Sequence, residues 1–106
     1  MAGMSIAFIY LLSEMRRELE ILNELGLHAR PSAEFVRRVM RFQSDVSVWR
    51  GDDQFSGGSI LEMMSANLDC GTRVVLEAVG PDAEEALDCL EQLLKDLQEQ
   101  EGSCRE

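Results

Sequence analysis

Two spacings of apolar residues along the chain predict its strands and helices. Alternate residues are apolar in three segments, as in strands that bury one face. These residues are Leu19 and Ile21 within 18–22, Val46 and Val48, and Val74, Leu76 and Ala78. The turn formed by Gly51-Asp52-Asp53 then predicts a hairpin that leads into a short strand around Phe55. The chain is therefore expected to contain four strands.

Apolar spacings of three and four residues predict three helices. The first begins after His28 and runs to about Arg41, and a short second helix begins at a capping box that Ser59 opens. The third runs from about Asp82 to Leu97. Its apolar stripe consists of Ala83, Ala86, Leu87, Leu90, Leu93, Leu94 and Leu97. The order β-α-β-β-α-β-α predicts an α/β (α+β) fold, an open-faced sandwich with three helices on one face of a four-stranded sheet.

Composition narrows the classes of protein to which the chain can belong. Its 106 residues suffice for one domain, and 45% hydrophobic with 28% charged residues is typical of a globular protein. The net charge of −10 argues against nucleic acid as a partner. Cys70, Cys89 and Cys104 show no CxxC spacing, so they indicate free thiols in a reducing cytosol rather than a disulfide framework. No metal site is expected, because the chain has a single histidine.

Segments at both ends extend beyond the predicted domain, which spans residues 15–98. Residues 1–14 lack the basic region and cleavage site of a signal peptide, and their apolar part, 6–12, is too short to span a bilayer. Either Met15 is the true initiator, or residues 6–12 pack across an apolar outer face of the sheet. Residues 99–106 are expected to form an acidic, flexible tail. The apolar outer face is predicted to consist of Leu22, Trp49, Val75 and Val79.

The strongest chemical signal lies at residues 26–31, Gly-Leu-His-Ala-Arg-Pro, which contain the only histidine, His28. A proline in the first turn of a helix loses no hydrogen bond, so this run opens the first helix. The imidazole then lies beside the unpaired amides of Ala29 and Arg30 and beside the Arg30 guanidinium, an arrangement that binds anions. The pattern predicts that His28 accepts a phosphoryl group, which Ala29 and Arg30 bind. A histidine that only caps the helix is the alternative.

This segment resembles the active-site region of the HPr family, the phosphocarrier proteins of the bacterial sugar phosphotransferase system. The similarity continues through Phe35-Val36, Gly58-Ser59-Ile60, Gly71-Thr72 and residues 80–86, and it covers roughly residues 16 to 98. It implies an antiparallel sheet, a cytoplasmic protein and no cofactor. It also implies a phosphoryl carrier rather than an enzyme: enzyme I phosphorylates His28, and an enzyme IIA domain receives the phosphoryl group.

The resemblance further implies a regulatory site and a docking surface. Ser59 matches a serine that HPr kinase/phosphorylase phosphorylates in some bacteria, although Gly58 replaces the Lys that often precedes it. Docking on acidic partners is expected to use basic residues of the first helix, and apolar contacts are expected from the second helix. The basic candidates are Arg37, Arg38 and Arg41, and the apolar candidates are Ile60, Leu61 and Met64.

Two alternatives keep the same fold but change the role. One is an NPr-like carrier that belongs to a nitrogen-related regulatory branch. The other is a regulatory docking module that transfers no phosphate, as in the HPr-like protein Crh, which lacks the phosphoacceptor histidine. His28 speaks for a carrier, but the sequence does not distinguish the two carrier branches.

Overall fold

The elements follow the predicted order in the structure, which is a computed structural model that describes residues 14–104. The strands are β1 (Glu14–Glu20), β2 (Asp45–Arg50), β3 (Asp53–Ser56) and β4 (Arg73–Val79). The helices are α1 (Ala29–Val39), α2 (Ile60–Ser65) and α3 (Ala83–Glu101), numbered here in chain order.

The four strands form one antiparallel sheet in the order β1-β4-β2-β3. Val48 lies opposite Leu76 on one side and Phe55 on the other, so the register brings the apolar residues of three strands to the same face. The helices cover that face, and the whole predicted stripe of α3 is buried there. The predicted fold, a four-stranded antiparallel sheet with three helices on one face, is confirmed.

Strand β1 begins earlier than predicted, at Glu14 rather than near residue 18, and it ends at Glu20. The reason is Arg17, a charged residue that points toward the helices and so interrupts the apolar alternation. Its guanidinium contacts the carboxylates of Asp88 at 2.8 Å and Glu91 at 3.0 Å, both on α3. An inward-facing arginine is tolerated because these acids neutralise it.

Part of the segment predicted as a flexible tail, residues 99–104, has defined secondary structure and contacts, and residues 105–106 lie outside the described residues. Helix α3 continues past Leu97 to Glu101, Ser103 forms a β-bridge with Asn23, and Cys104 forms a disulfide with Cys70. The Cα atoms of the two cysteines lie 6.2 Å apart, within the usual range for disulfides. The expectation of three free thiols is therefore wrong, and only Cys89 is free. The two paired cysteines are 34 residues apart and meet only through the fold.

The outer face of the sheet is less apolar than predicted. Glu77 lies on it and is 7% exposed, and its carboxylate accepts hydrogen bonds from Trp49 Nε1 at 3.2 Å and Arg16 Nε at 3.1 Å. The Trp49 hydrogen bond and Arg16 lower the pKa of Glu77, although burial opposes this shift. Leu22 instead lines a cleft beside Leu94 of α3. The proposed cover, residues 6–12, lies outside the described residues.

Candidate functional site

The loop that leads to His28 is held on the core by buried hydrogen bonds. The Leu27 amide donates to the carbonyl of Leu68 at 2.9 Å, and the Ser32 hydroxyl donates to the carbonyl of Leu27 at 2.8 Å. Gly26 has φ +68°, and a Cβ at this position would lie 2.7 Å from the Leu68 carbonyl oxygen. Only glycine fits this conformation and this close approach. The backbone before His28 is thus fixed by the fold.

His28 is the N-cap residue of α1, as the sequence predicts. Its carbonyl accepts the first helical hydrogen bond, from the amide of Ser32 at 2.9 Å, but its side chain makes no capping bond. The imidazole is 44% exposed. Within residues 14–104, the amides of Ala29 and Arg30 have no hydrogen-bond partner, as expected for the first turn of a helix. The imidazole is therefore accessible and lies beside two backbone amides that are available to donate hydrogen bonds.

Arg30 is exposed and is available to an anion. Its guanidinium makes no ion pair with any residue of the described part of the chain. Arg37 and Arg38 differ, because both contact the carboxylate of Glu34, at 2.8 and 3.2 Å. The predicted basic face is thus partly neutralised, and Arg30 carries the uncompensated positive charge next to His28.

His28 and Arg30 line the same cleft, which lies between α1 and α3 and has a volume of about 640 Å³. Sequence reasoning missed one member of this site, Glu101, whose Oε2 lies 3.6 Å from His28 Nε2. No local pattern marks Glu101, since it follows the predicted end of α3. The cleft thus combines an imidazole, a free guanidinium and a carboxylate. Its other lining residues are Leu25, Pro31, Glu34, Arg38, Leu93, Asp96, Leu97 and Gln100.

The predicted apolar docking residues are on the surface. Leu61 is 78% exposed, and Ile60 and Met64 are also exposed, whereas Met63 points into the core. Sequence reasoning missed Met40, which is 71% exposed and approaches Gly58 just before α2. An exposed cluster of this composition is typical of a protein-binding surface.

Ser59 is the N-cap residue of α2, as predicted. Its hydroxyl accepts from the amide of Glu62 at 3.3 Å. The capping box itself is incomplete, because the Glu62 carboxylate accepts from the amide of Ser56 at 2.9 Å rather than from that of Ser59. Glu62 therefore fixes the preceding strand end relative to α2.

The described part of the chain contains no candidate membrane span and no candidate metal site. None of the helices within residues 14–104 combines the length and apolarity that crossing a membrane requires. Over the same range, no three histidine, cysteine or acidic side chains are grouped so that they could bind a metal ion.

A family model and two known proteins match most of this chain. The sequence model of the family described as "PTS HPr component phosphorylation site" matches residues 15–96. The phosphocarrier protein HPr of Neisseria meningitidis serogroup A is 38% identical over 80 residues, which cover 76% of this chain and 90% of the relative. The HPr-like protein Crh of Bacillus subtilis is also 38% identical, over 72% of this chain and 89% of Crh.

A solved structure agrees with the sequence comparisons. The crystal structure of HPr-C-His from Thermoanaerobacter tengcongensis superposes with a TM-score of 0.75 at 36% identity, covering 78% of this chain and 93% of that one. The family match spans His28, Arg30 and Ser59 but ends before the C-terminal residues that contact the His28 loop. The chain belongs to the HPr family of phosphocarrier proteins.

Proposed function

We propose that this protein carries phosphoryl groups in a phosphoenolpyruvate-dependent relay, with His28 as the acceptor. Enzyme I is the donor and an enzyme IIA domain the recipient, so the relay serves sugar uptake in the cytoplasm. The proposal is supported by the placement of His28 as an accessible N-cap residue beside Arg30 and beside two amides, all without partners among residues 14–104.

The proposed chemistry is nucleophilic attack at phosphorus. The lone pair of an unprotonated ring nitrogen forms a P–N bond while the bond from phosphorus to the donor breaks. The transferred group keeps its negative charge throughout, so the protein has to supply positioning and positive potential. The amides of Ala29 and Arg30 and the Arg30 guanidinium are suited to both tasks. Because these groups act without covalent change, the phosphoryl group can leave by the reverse reaction.

Partner docking is proposed for the surface around Ser59. Ile60, Leu61 and Met64 supply exposed apolar area, and Arg41 lies exposed after α1 without an ion-pair partner within residues 14–104. Hydrophobic contacts with a charged rim are a common composition for transient interfaces. The same surface would receive enzyme I, enzyme IIA and, where present, HPr kinase/phosphorylase.

A second candidate role is a regulatory docking module, favoured by the match to Crh and by the position of Ser59 next to the exposed apolar residues. Phosphorylation of Ser59 would add about two negative charges at this surface and so weaken binding to acidic partners. An NPr-like carrier is distinguished from a sugar carrier by the enzyme I that phosphorylates it.

A relay assay tests the proposal. The protein is phosphorylated with enzyme I and phosphoenolpyruvate, separated from both, and mixed with a purified enzyme IIA domain. The carrier role predicts that the phosphate moves to enzyme IIA and that His28→Ala abolishes the transfer. A docking module would bind its partners equally well as wild type and as His28→Ala, with no phosphate passing between them.

A further inference from the structure

Residues 101–104 bind the loop that leads to His28, and we call them the C-terminal clamp. The amide of Glu24 donates to the carbonyl of Gly102 at 2.9 Å, and the amide of Cys104 donates to the carbonyl of Leu22 at 2.9 Å. The disulfide to Cys70 holds the end of the clamp. These residues lie beyond 15–96, the range that the family model matches.

Glu101 connects the clamp to the imidazole through its two carboxylate oxygens. Oε1 accepts from Asn23 Nδ2 at 3.0 Å and from the amide of Leu25 at 3.3 Å, which fixes the orientation of the carboxylate. Oε2 is then left facing His28 Nε2 at 3.6 Å. The Glu101 side chain is 18% exposed and Asn23 is 1% exposed, so water competes weakly for the hydrogen bond between them.

We infer that Glu101 is a positioning residue that sets the tautomer of His28 for phosphoryl transfer. This inference rests on the proposed function. At 3.6 Å the contact is electrostatic rather than a hydrogen bond, and the negative carboxylate favours the proton on the nitrogen that faces it, Nε2. The other ring nitrogen, Nδ1, then carries the lone pair that forms the P–N bond. Without Glu101 the ring could also rotate or protonate at Nδ1, and both changes would remove the nucleophile.

The substitution Glu101→Gln separates this role from simple support of the loop. Asn23 and Leu25 both present donors, so the amide oxygen of a glutamine has to face them, and the clamp is retained. The glutamine NH₂ group then faces His28 Nε2, where the wild-type chain has an acceptor. This donor favours the opposite tautomer, with the proton on Nδ1. Glu99→Gln is the matched control, because it removes the same charge from an exposed position on the same helix.

The first measurement is the nitrogen-15 spectrum of the imidazole at about pH 9, where histidine side chains are ordinarily neutral. The chain has one histidine, so the two ring-nitrogen signals are unambiguous. The wild type and Glu99→Gln should show the Nε2–H tautomer, and Glu101→Gln should show an increased Nδ1–H population. The second measurement is the initial rate of phosphorylation by enzyme I. Glu101→Gln should lower this rate about two- to fivefold, the range expected when a partly exposed charged contact is lost.

Failure of the inference about Glu101 and failure of the proposed function give different experimental results. An unchanged tautomer in Glu101→Gln overturns the inference, and so does a shifted tautomer with an unchanged phosphorylation rate. If the wild type accepts no phosphate from enzyme I, the proposed function fails. The nitrogen-15 comparison then still decides whether Glu101 orients the ring, because it needs no phosphorylation. A purely structural Glu101 predicts that the Glu101→Gln variant matches the wild type in both measurements.

Discussion

Asp82 ties the start of α3 to the turn before β2, and its removal should destabilise the fold strongly. Its carboxylate accepts from the amides of Gln43 at 2.8 Å and Ser44 at 2.9 Å and from the Ser44 hydroxyl at 2.6 Å. Ser44 is only 4% exposed, so in Asp82→Ala water cannot fully replace the lost acceptor. A hydrogen bond to a charged group contributes about 1.5–3 kcal/mol.

The three bonds share one carboxylate and the Gln43 amide is exposed, so their contributions do not add in full. We expect Asp82→Ala to lower the free energy of unfolding by about 2–4 kcal/mol, or the melting temperature by about 10 °C or more. Asp82→Asn keeps one carbonyl acceptor, so it should lower the free energy of unfolding by about half as much as Asp82→Ala. Asp45→Ala, at an exposed neighbouring position, is the control and should change stability by less than about 0.5 kcal/mol.

The pH dependence gives an independent check on the same residue. Burial of Asp82 raises its pKa, but the hydrogen bonds from Ser44 and the Gln43 amide outweigh burial, so the folded-state pKa lies below the ordinary 3.8. The carboxylate therefore stabilises the fold fully above about pH 4, and this contribution is lost as pH falls through the lower folded-state value. In urea unfolding, the difference in the free energy of unfolding between wild type and Asp82→Ala should be smaller in acid than at pH 7. If Asp82→Ala lowers the free energy of unfolding by less than about 0.5 kcal/mol at pH 7, or by the same amount at every pH, the Asp82 carboxylate does not stabilise the fold in this way.

Two other predictions concern the site and the disulfide. Arg30→Ala should slow phosphorylation of His28 about tenfold while leaving it modifiable, because an exposed charged donor is lost. Arg73→Ala, at an exposed arginine of β4 outside the cleft and the docking surface, is the control, and equal rates for both variants would remove Arg30 from the mechanism. Cys104→Ser should lower the free energy of unfolding by about 4 kcal/mol without reductant, given the 34-residue separation of the bridge, and dithiothreitol should abolish the difference. Thiol titration of the denatured, unreduced wild type should detect Cys89 alone, and three reactive thiols there would contradict the disulfide.

Much of the fold could be predicted because its signal is local. The stripe of α3 and the alternation in β2 and β4 repeat within a few residues, and the structure buries those positions. The start of β1 was harder to predict, because the inward position of Arg17 is stable only through acids on α3. A periodicity argument does not include such a distant partner.

The candidate site also combines residues that the local sequence predicts with residues that only the tertiary structure brings there. His28, Ala29 and Arg30 are adjacent in sequence, so their placement at the start of α1 follows from capping and proline preferences. Glu101 and the Cys70–Cys104 disulfide depend on α3 continuing one turn beyond its apolar stripe and folding back onto the loop at Asn23. These contacts are set by tertiary structure, and no spacing in the sequence indicates them.

Intact-mass analysis can show whether His28 is the phosphoacceptor. Wild type and His28→Ala are incubated with enzyme I and phosphoenolpyruvate, and each is weighed before and after brief acid treatment. We expect one added phosphate on the wild type, lost in acid, and none on His28→Ala. An equal, acid-stable phosphate on both proteins would place the modification on another residue, and His28 would then not be the phosphoacceptor.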